Sequence, residues 1–82
     1  MIIWSSKKNG ALPSWDIHIG TKNGKRISDI NEGCFSYVVT IYDSDGKKKF
    51  SEYVSNAFSV EEIKKVIESG VSIKSDLKSL SL

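Results

Sequence analysis

The stretch Cys34-Phe-Ser-Tyr-Val-Val-Thr-Ile-Tyr-Asp-Ser-Asp-Gly-Lys-Lys-Lys-Phe-Ser-Glu-Tyr-Val54 reads as a β-hairpin, and the rest of the chain is read outward from it. Phe35, Tyr37, Val39 and Ile41 alternate with Cys34, Ser36, Val38, Thr40 and Tyr42, the period of two that a strand needs to separate its faces. Asp45-Gly46 accepts the positive φ of a tight turn, and folding there pairs Ile41 with Phe50 and leaves Val54 on the same face. A three-residue loop with a glycine bulge is the alternative. It would slip the pairing by one and set Ile41 against Lys49, so the apolar match is preferred.

Two further dipeptides of the same chemistry lie upstream, Asn9-Gly10 and Asn23-Gly24. Folding about the first places Trp4 opposite Trp15 and Ile2 opposite Ile17, with Trp15, Ile17 and Ile19 on one face. Folding about the second sets Ile17 against Ile30 and sends Asp16, His18, Ile27 and Asp29 to the other face. Pro13 cannot donate to a ladder and argues for a bulge or an early end to the first pairing.

Downstream the pattern changes from strand to helix. Ser59-Val60-Glu61-Glu62 is a capping box, in which the Ser59 hydroxyl accepts the Glu62 backbone N–H and the Glu62 carboxylate reaches back to the Ser59 N–H. Phe58 and Ile63 form a hydrophobic staple. Gly70 supplies the left-handed residue that ends the helix, with Val71 folding back on Val66. The spacing predicts a helix over 60–69, burying Val60, Ile63, Val66 and Ile67 and leaving Glu61, Lys64, Lys65 and Glu68 in water. Residues 75–81 can form a short second helix capped by Ser75, with Leu77 and Leu80 turned to the core. A ten-residue helix spans about 15 Å, less than four or five strands at about 4.8 Å each, so the sheet needs this second cover or another copy of the chain. The expected fold is α+β: an antiparallel four- to five-stranded β-meander with its helix packed on one face, in a single domain over residues 1–82.

Composition narrows the function classes. At 82 residues the core is small, so strong apolar residues are core candidates first. Twelve Lys and Arg against ten Asp and Glu give a net charge of only +2, so the placement of charge matters more than its sum. The single cysteine, Cys34, cannot close an internal disulfide and reads as a small core residue in a reducing setting. No apolar stretch approaches the roughly 20 residues of a membrane span, and the apolar run Met1–Trp4 is too short for a signal peptide. A cytoplasmic protein that does not engage membranes is expected, either monomeric or a homodimer.

No constellation for catalysis, metal or cofactor emerges. His18 is the only histidine, with Asp16 and Asp29 as expected neighbours and Ser14 as a nominal third member. One His and one Cys fall short of the four ligands of a zinc site. Asp43-Ser44-Asp45-Gly46 opens like a calcium loop, but Lys47, Lys48 and Lys49 stand where oxygen donors would be needed. The chain is therefore read as a non-enzyme without cofactor.

What remains is basic. Alternate turns of a meander lie at the same end of the sheet, which gathers Lys22, Lys25, Arg26, Lys47, Lys48 and Lys49 at one edge as a phosphate-binding footprint. Tyr42 and Tyr53 join Thr40, Ser51 and His18 on the face away from the helix, where aromatics near cations can stack on unpaired bases. From Tyr37 through Asp45-Gly46-Lys47-Lys48-Lys49 to Phe58-Ser59-Val60-Glu61-Glu62 the layout resembles AP2-like domains and the arm-binding domains of phage integrases. That resemblance covers less than half the chain and implies a sheet presented to DNA. Nucleic-acid binding through the basic edge and open face is the first expectation. A small protein-binding inhibitor of the immunity or phage anti-defence type, acting through Ile3, Ile27, Val38, Tyr42 and Tyr53 on the same face, is the alternative.

Overall fold

Local turn chemistry and long-range packing both shape the sheet, and they disagree at two positions. A computed structural model describes residues 1–8 and 15–81. Five antiparallel strands follow in chain order, β1 (Ile3–Lys8), β2 (Asp16–Lys22), β3 (Lys25–Asn31), β4 (Ser36–Tyr42) and β5 (Lys48–Ser55), and two helices, α1 (Val60–Ser69) and α2 (Ile73–Ser79), complete the α+β architecture. The meander and the C-terminal helix are those expected from the sequence.

The β2–β3 turn has Asn23 at φ 54° and Gly24 at φ 78°, both in the left-handed region that a type I′ turn requires. Lys22 pairs with Lys25 and Thr21 with Arg26, but Gly20 then pairs with Ser28, which makes Ile27 an extra residue on β3. This bulge overturns the expected match of Ile17 with Ile30. His18 instead faces Ile30, and Ile17 faces Asn31. Because side chains alternate, one residue of slip exchanges the faces of β2. Asp16, His18 and Gly20 turn toward the helices, and Ile17 and Ile19 turn to the open face.

The β1–β2 pairing explains why that exchange is favoured. Trp4 lies opposite Gly20, not Trp15, and Ser6 lies opposite His18. An indole needs a partner without bulk, and a β-carbon placed on Gly20 would come within 2.8 Å of the Trp4 ring. Asn9-Gly10 and Pro13 lie outside the described residues, and the pairing of β1 with β2 ends at Lys8 opposite Asp16.

At the β4–β5 turn the expected pair survives by an unexpected route. Asp43 N–H donates to the Lys47 carbonyl at 2.8 Å, and Gly46, at φ 81°, carries the bulge of a three-residue loop. Tyr42 consequently pairs with Lys48. A second irregularity at Lys49 then restores Ile41 opposite Phe50. The loop first set aside is the one formed, and the compensating bulge keeps both apolar residues facing the helices.

Helix α1 begins and ends where its caps dictate. Ser59 Oγ accepts the Glu62 N–H at 3.2 Å, Glu62 Oε2 accepts the Ser59 N–H at 3.0 Å, and Gly70 closes the helix at φ 69°. Ile63 and Ile67 are buried against Ile30, Val39, Ile41 and Val54, each worth about 1.5–3 kcal/mol of transfer free energy. Trp4 Nε1 donates to Glu68 at 2.9 Å, and the Lys64 ammonium lies 5.4 Å from the centre of the same indole, so α1 covers the β1 side.

Helix α2 covers the β5 side. It spans 73–79, not 75–81, because Gly70 and Ser72 (φ 54°) both adopt left-handed conformations and reverse the chain early. Ser75 is therefore inside the helix, and its hydroxyl donates to the Ser72 carbonyl at 3.3 Å. Leu77 is fully buried, Leu80 packs on the core, and the Leu80 carbonyl accepts the Ser55 N–H at 3.0 Å. The C-terminal leucines thus supply the second cover. Val71, by contrast, is 69% exposed at the α1–α2 link instead of folding back on Val66. Cys34 and Phe35 precede β4 and are exposed, so Cys34 is not the core residue expected. Among the described residues no helix is long and apolar enough to cross a membrane.

Candidate binding surface at the basic edge of the sheet

The β2–β3 and β4–β5 turns meet at one end of the sheet. A cleft of about 420 Å³ is lined by Lys25 and Arg26 from one turn and by Ser44, Asp45 and Gly46 from the other. A neighbouring cleft of about 300 Å³ adds Lys22, Tyr42 and Asp43. The Asp43 carboxylate is occupied within its own turn, where Oδ1 accepts the N–H groups of Asp45 and Lys47, each at 2.9 Å. Lys22, Lys25, Lys47, Lys48 and Lys49 make no ion pair among the described residues.

Arg26, Asp29 and Tyr42 form a connected group on the open face. The Tyr42 hydroxyl donates to Asp29 Oδ2 at 2.5 Å, Arg26 Nε lies 3.5 Å from Asp29 Oδ1, and the guanidinium sits 6.0 Å from the Tyr42 ring centre. The hydrogen bond to Asp29 is the main cause of a Tyr42 pKa above the ordinary value; burial and the Asp29 charge add to it, and Arg26 opposes it. This arrangement fixes the Tyr42 ring beside a cation at the mouth of the basic edge.

The expected site residues are only partly united. Arg26, Tyr42 and Lys48 share the open face, with Lys25 and Lys47 at the turns. Tyr53, 65% exposed, pairs with Val38, four residues from Tyr42 along β4, about 13 Å away. Lys49 lies elsewhere, in a cleft on the helix side of the sheet beside Phe50 and Ile73, and Lys22 stands between the two, lining the basic-edge cleft and also a helix-side cleft beside Ile2 and Ile67. The Lys49 bulge accounts for the first placement, and the alternation along β2 from Thr21, which pairs with Arg26 on the open face, accounts for the second.

His18 also changes place. It lies on the helix face, largely buried, with Nε2 2.8 Å from Glu32 Oε2; Glu32 Oε1 accepts the Asp16 N–H at 3.2 Å. The expected neighbour Asp29 is on the opposite face, a direct result of the β3 bulge. Glu32 was missed because it follows the last residue of β3, and only the slipped register brings it to β2. One donor atom each from Asp16, His18 and Glu32 lies within 4.8 Å of the others. Lys8 Nζ sits 3.0 Å from Asp16 Oδ1 as an ion pair and Glu32 engages His18, while Asp16 Oδ1 is buried without a hydrogen bond among the described residues. Ser14 lies outside the described residues.

Comparison with protein-family models, with curated proteins and with solved structures finds no match to this chain.

Proposed function

We propose that this chain is a non-catalytic nucleic-acid-binding module that engages phosphates with its basic edge and presents Tyr42 beside that edge. The observation carrying this reading is that the β2–β3 turn, with Lys22, Lys25 and Arg26, shares clefts with Asp43–Gly46 of the β4–β5 turn, from which Lys47 and Lys48 follow directly in the chain, and that Arg26 is held next to Tyr42. Cations without internal ion-pair partners release condensed counterions when they meet a phosphate backbone, so binding should depend steeply on salt. Tyr42 offers the ring on which an unpaired base can stack.

Fluorescence anisotropy with labelled single-stranded and duplex oligonucleotides tests it. Affinity should fall between 50 and 200 mM salt, by roughly 0.7 log units per log unit of salt for each phosphate contact on a single strand. Lys47→Glu combined with Lys48→Glu should weaken binding and flatten that slope. Absence of binding at low salt, or binding indifferent to salt, would overturn the reading.

A protein-binding inhibitor is the second reading, favoured by Ile3 and Tyr53, which are 67% and 65% exposed on the open face beside half-buried Ile17, Ile19 and Val38. Pull-down from lysate before and after nuclease separates the two. Partners lost with nuclease support the nucleic-acid module; a stoichiometric protein that remains supports inhibition.

A further inference from the structure

The two lysines that leave the open face, Lys22 and Lys49, stand at a second feature. Between the turn end of the sheet and the helices run two clefts, of about 380 and 830 Å³, that share Ile41, Gly70 and Ile73 and so form one groove. Its floor is apolar: Ile2, Ile27 and Ile67 continue it at one end and Phe50 at the other. The exposed Val71 sits in the link beside it. Its cationic lining consists of Lys22, Lys49, Lys74 and Lys78, none in an ion pair among the described residues. Lys74 and Lys78, one helical turn apart on α2, present two charges along the same side of the groove. Lys74 is held with its ammonium 5.5 Å from the centre of the Phe50 ring. The one acid in the lining, Glu68, accepts a hydrogen bond from Trp4.

We propose that this groove is a docking site for an acidic peptide segment of a partner protein, one that places aliphatic or aromatic side chains on the Ile41–Ile73 floor and carboxylates against the lysines. The combination of linings selects that occupant. A nucleic-acid strand would use the cations but has no aliphatic groups for a floor built mainly of isoleucine, and of the two aromatic rings in the lining Phe50 is faced by Lys74 and Tyr42 by Arg26. A single-chain fatty acid would fill the floor but bring one carboxylate to four separated ammonium groups. An acidic amphipathic peptide repeats both features along its length. This groove adjoins the proposed nucleic-acid edge, sharing Lys22, Ile27 and Tyr42 with its clefts, but Lys74 and Lys78 belong to α2 and line only the groove, so substitutions there separate the two.

The test is selection of peptides from a random displayed library against the full chain, compared with selection against a Lys74→Glu, Lys78→Glu variant. Both positions are exposed on α2, and matching thermal midpoints establish that the variant is folded. The chain should enrich Asp- and Glu-rich peptides bearing Leu, Phe or Trp. Such a peptide should shift the amide resonances of Ile41, Phe50 and Ile73 and bind the variant about ten-fold or more weakly, because two attractions become repulsions. Failure to enrich acidic peptides, equal binding to the variant, resonance shifts confined to the open face, or binding of phosphatidylglycerol vesicles in place of peptides would each overturn the proposal. Oligonucleotide binding by the same variant, read separately, reports on the basic edge.

Discussion

Substituting Gly20 by alanine distinguishes the observed β1–β2 register from the one that turn chemistry favours. Gly20 is not among the glycines with positive φ, so its backbone accepts any residue. In an open strand position, Gly→Ala would stabilise by about 0.4–1 kcal/mol by restricting the unfolded chain. Here the new methyl would stand 2.8 and 2.9 Å from two carbons of the Trp4 ring, closer than carbon atoms can approach. The indole must then move, and it is held by its bond to Glu68 and by the Lys64 ammonium over its ring. Overpacking of this kind costs about 1–3 kcal/mol. The expected net effect is therefore destabilisation, read as a lower urea midpoint by far-ultraviolet circular dichroism, with Tm falling by roughly 4–8 °C for each kcal/mol. The same substitution in a Trp4→Val background should be neutral or stabilising, which gives a coupling on the order of 2 kcal/mol between the two positions. Had Trp4 faced Trp15, no ring would cover Gly20, and alanine would stabilise the native chain. A rise in stability on Gly20→Ala, or the same cost in both backgrounds, would refute the packing argument.

Two further outcomes follow from the helices and the tyrosine. Leu77→Ala should cost about 2–5 kcal/mol in chemical denaturation, because Leu77 is fully buried between α2 and the sheet; a cost below 1 kcal/mol would show that α2 is not docked. Tyr42, with a folded-state pKa raised above 10.0, contributes stability that is fully present below that value and is lost as pH rises through the higher folded one. The alkaline decline in stability should accordingly be shallower for Tyr42→Phe, and the absorbance titration missing from that variant should lie above the ordinary tyrosine range. Asp29→Asn should move that titration back down.

These predictions separate what nearby residues decide from what distant ones decide. The capping box at Ser59, the Gly70 stop and the Asn23-Gly24 turn were legible because each closes its hydrogen bonds or sets its φ within a few residues. The basic turns were legible as neighbours because a meander returns alternate turns to the same end. Their division between two faces was not, since Lys49 is displaced by a bulge that serves Ile41 and Phe50. The groove was invisible for a similar reason: it joins Ile2 to Phe50 and Ile73, residues brought together only when both helices dock.

Sequence alone thus determined the order of strands and helices, the ends of α1 and the end of the sheet at which charge collects. Only the tertiary structure decided which way β2 faces. A turn sets the register of its first pairs, but a bulge a few residues later is chosen by what must fit on the covered face, here an indole over Gly20 and Ile30 in the core. Because strand side chains alternate, that single choice carried His18 under the helices and sent Ile17 and Ile19 to the open face.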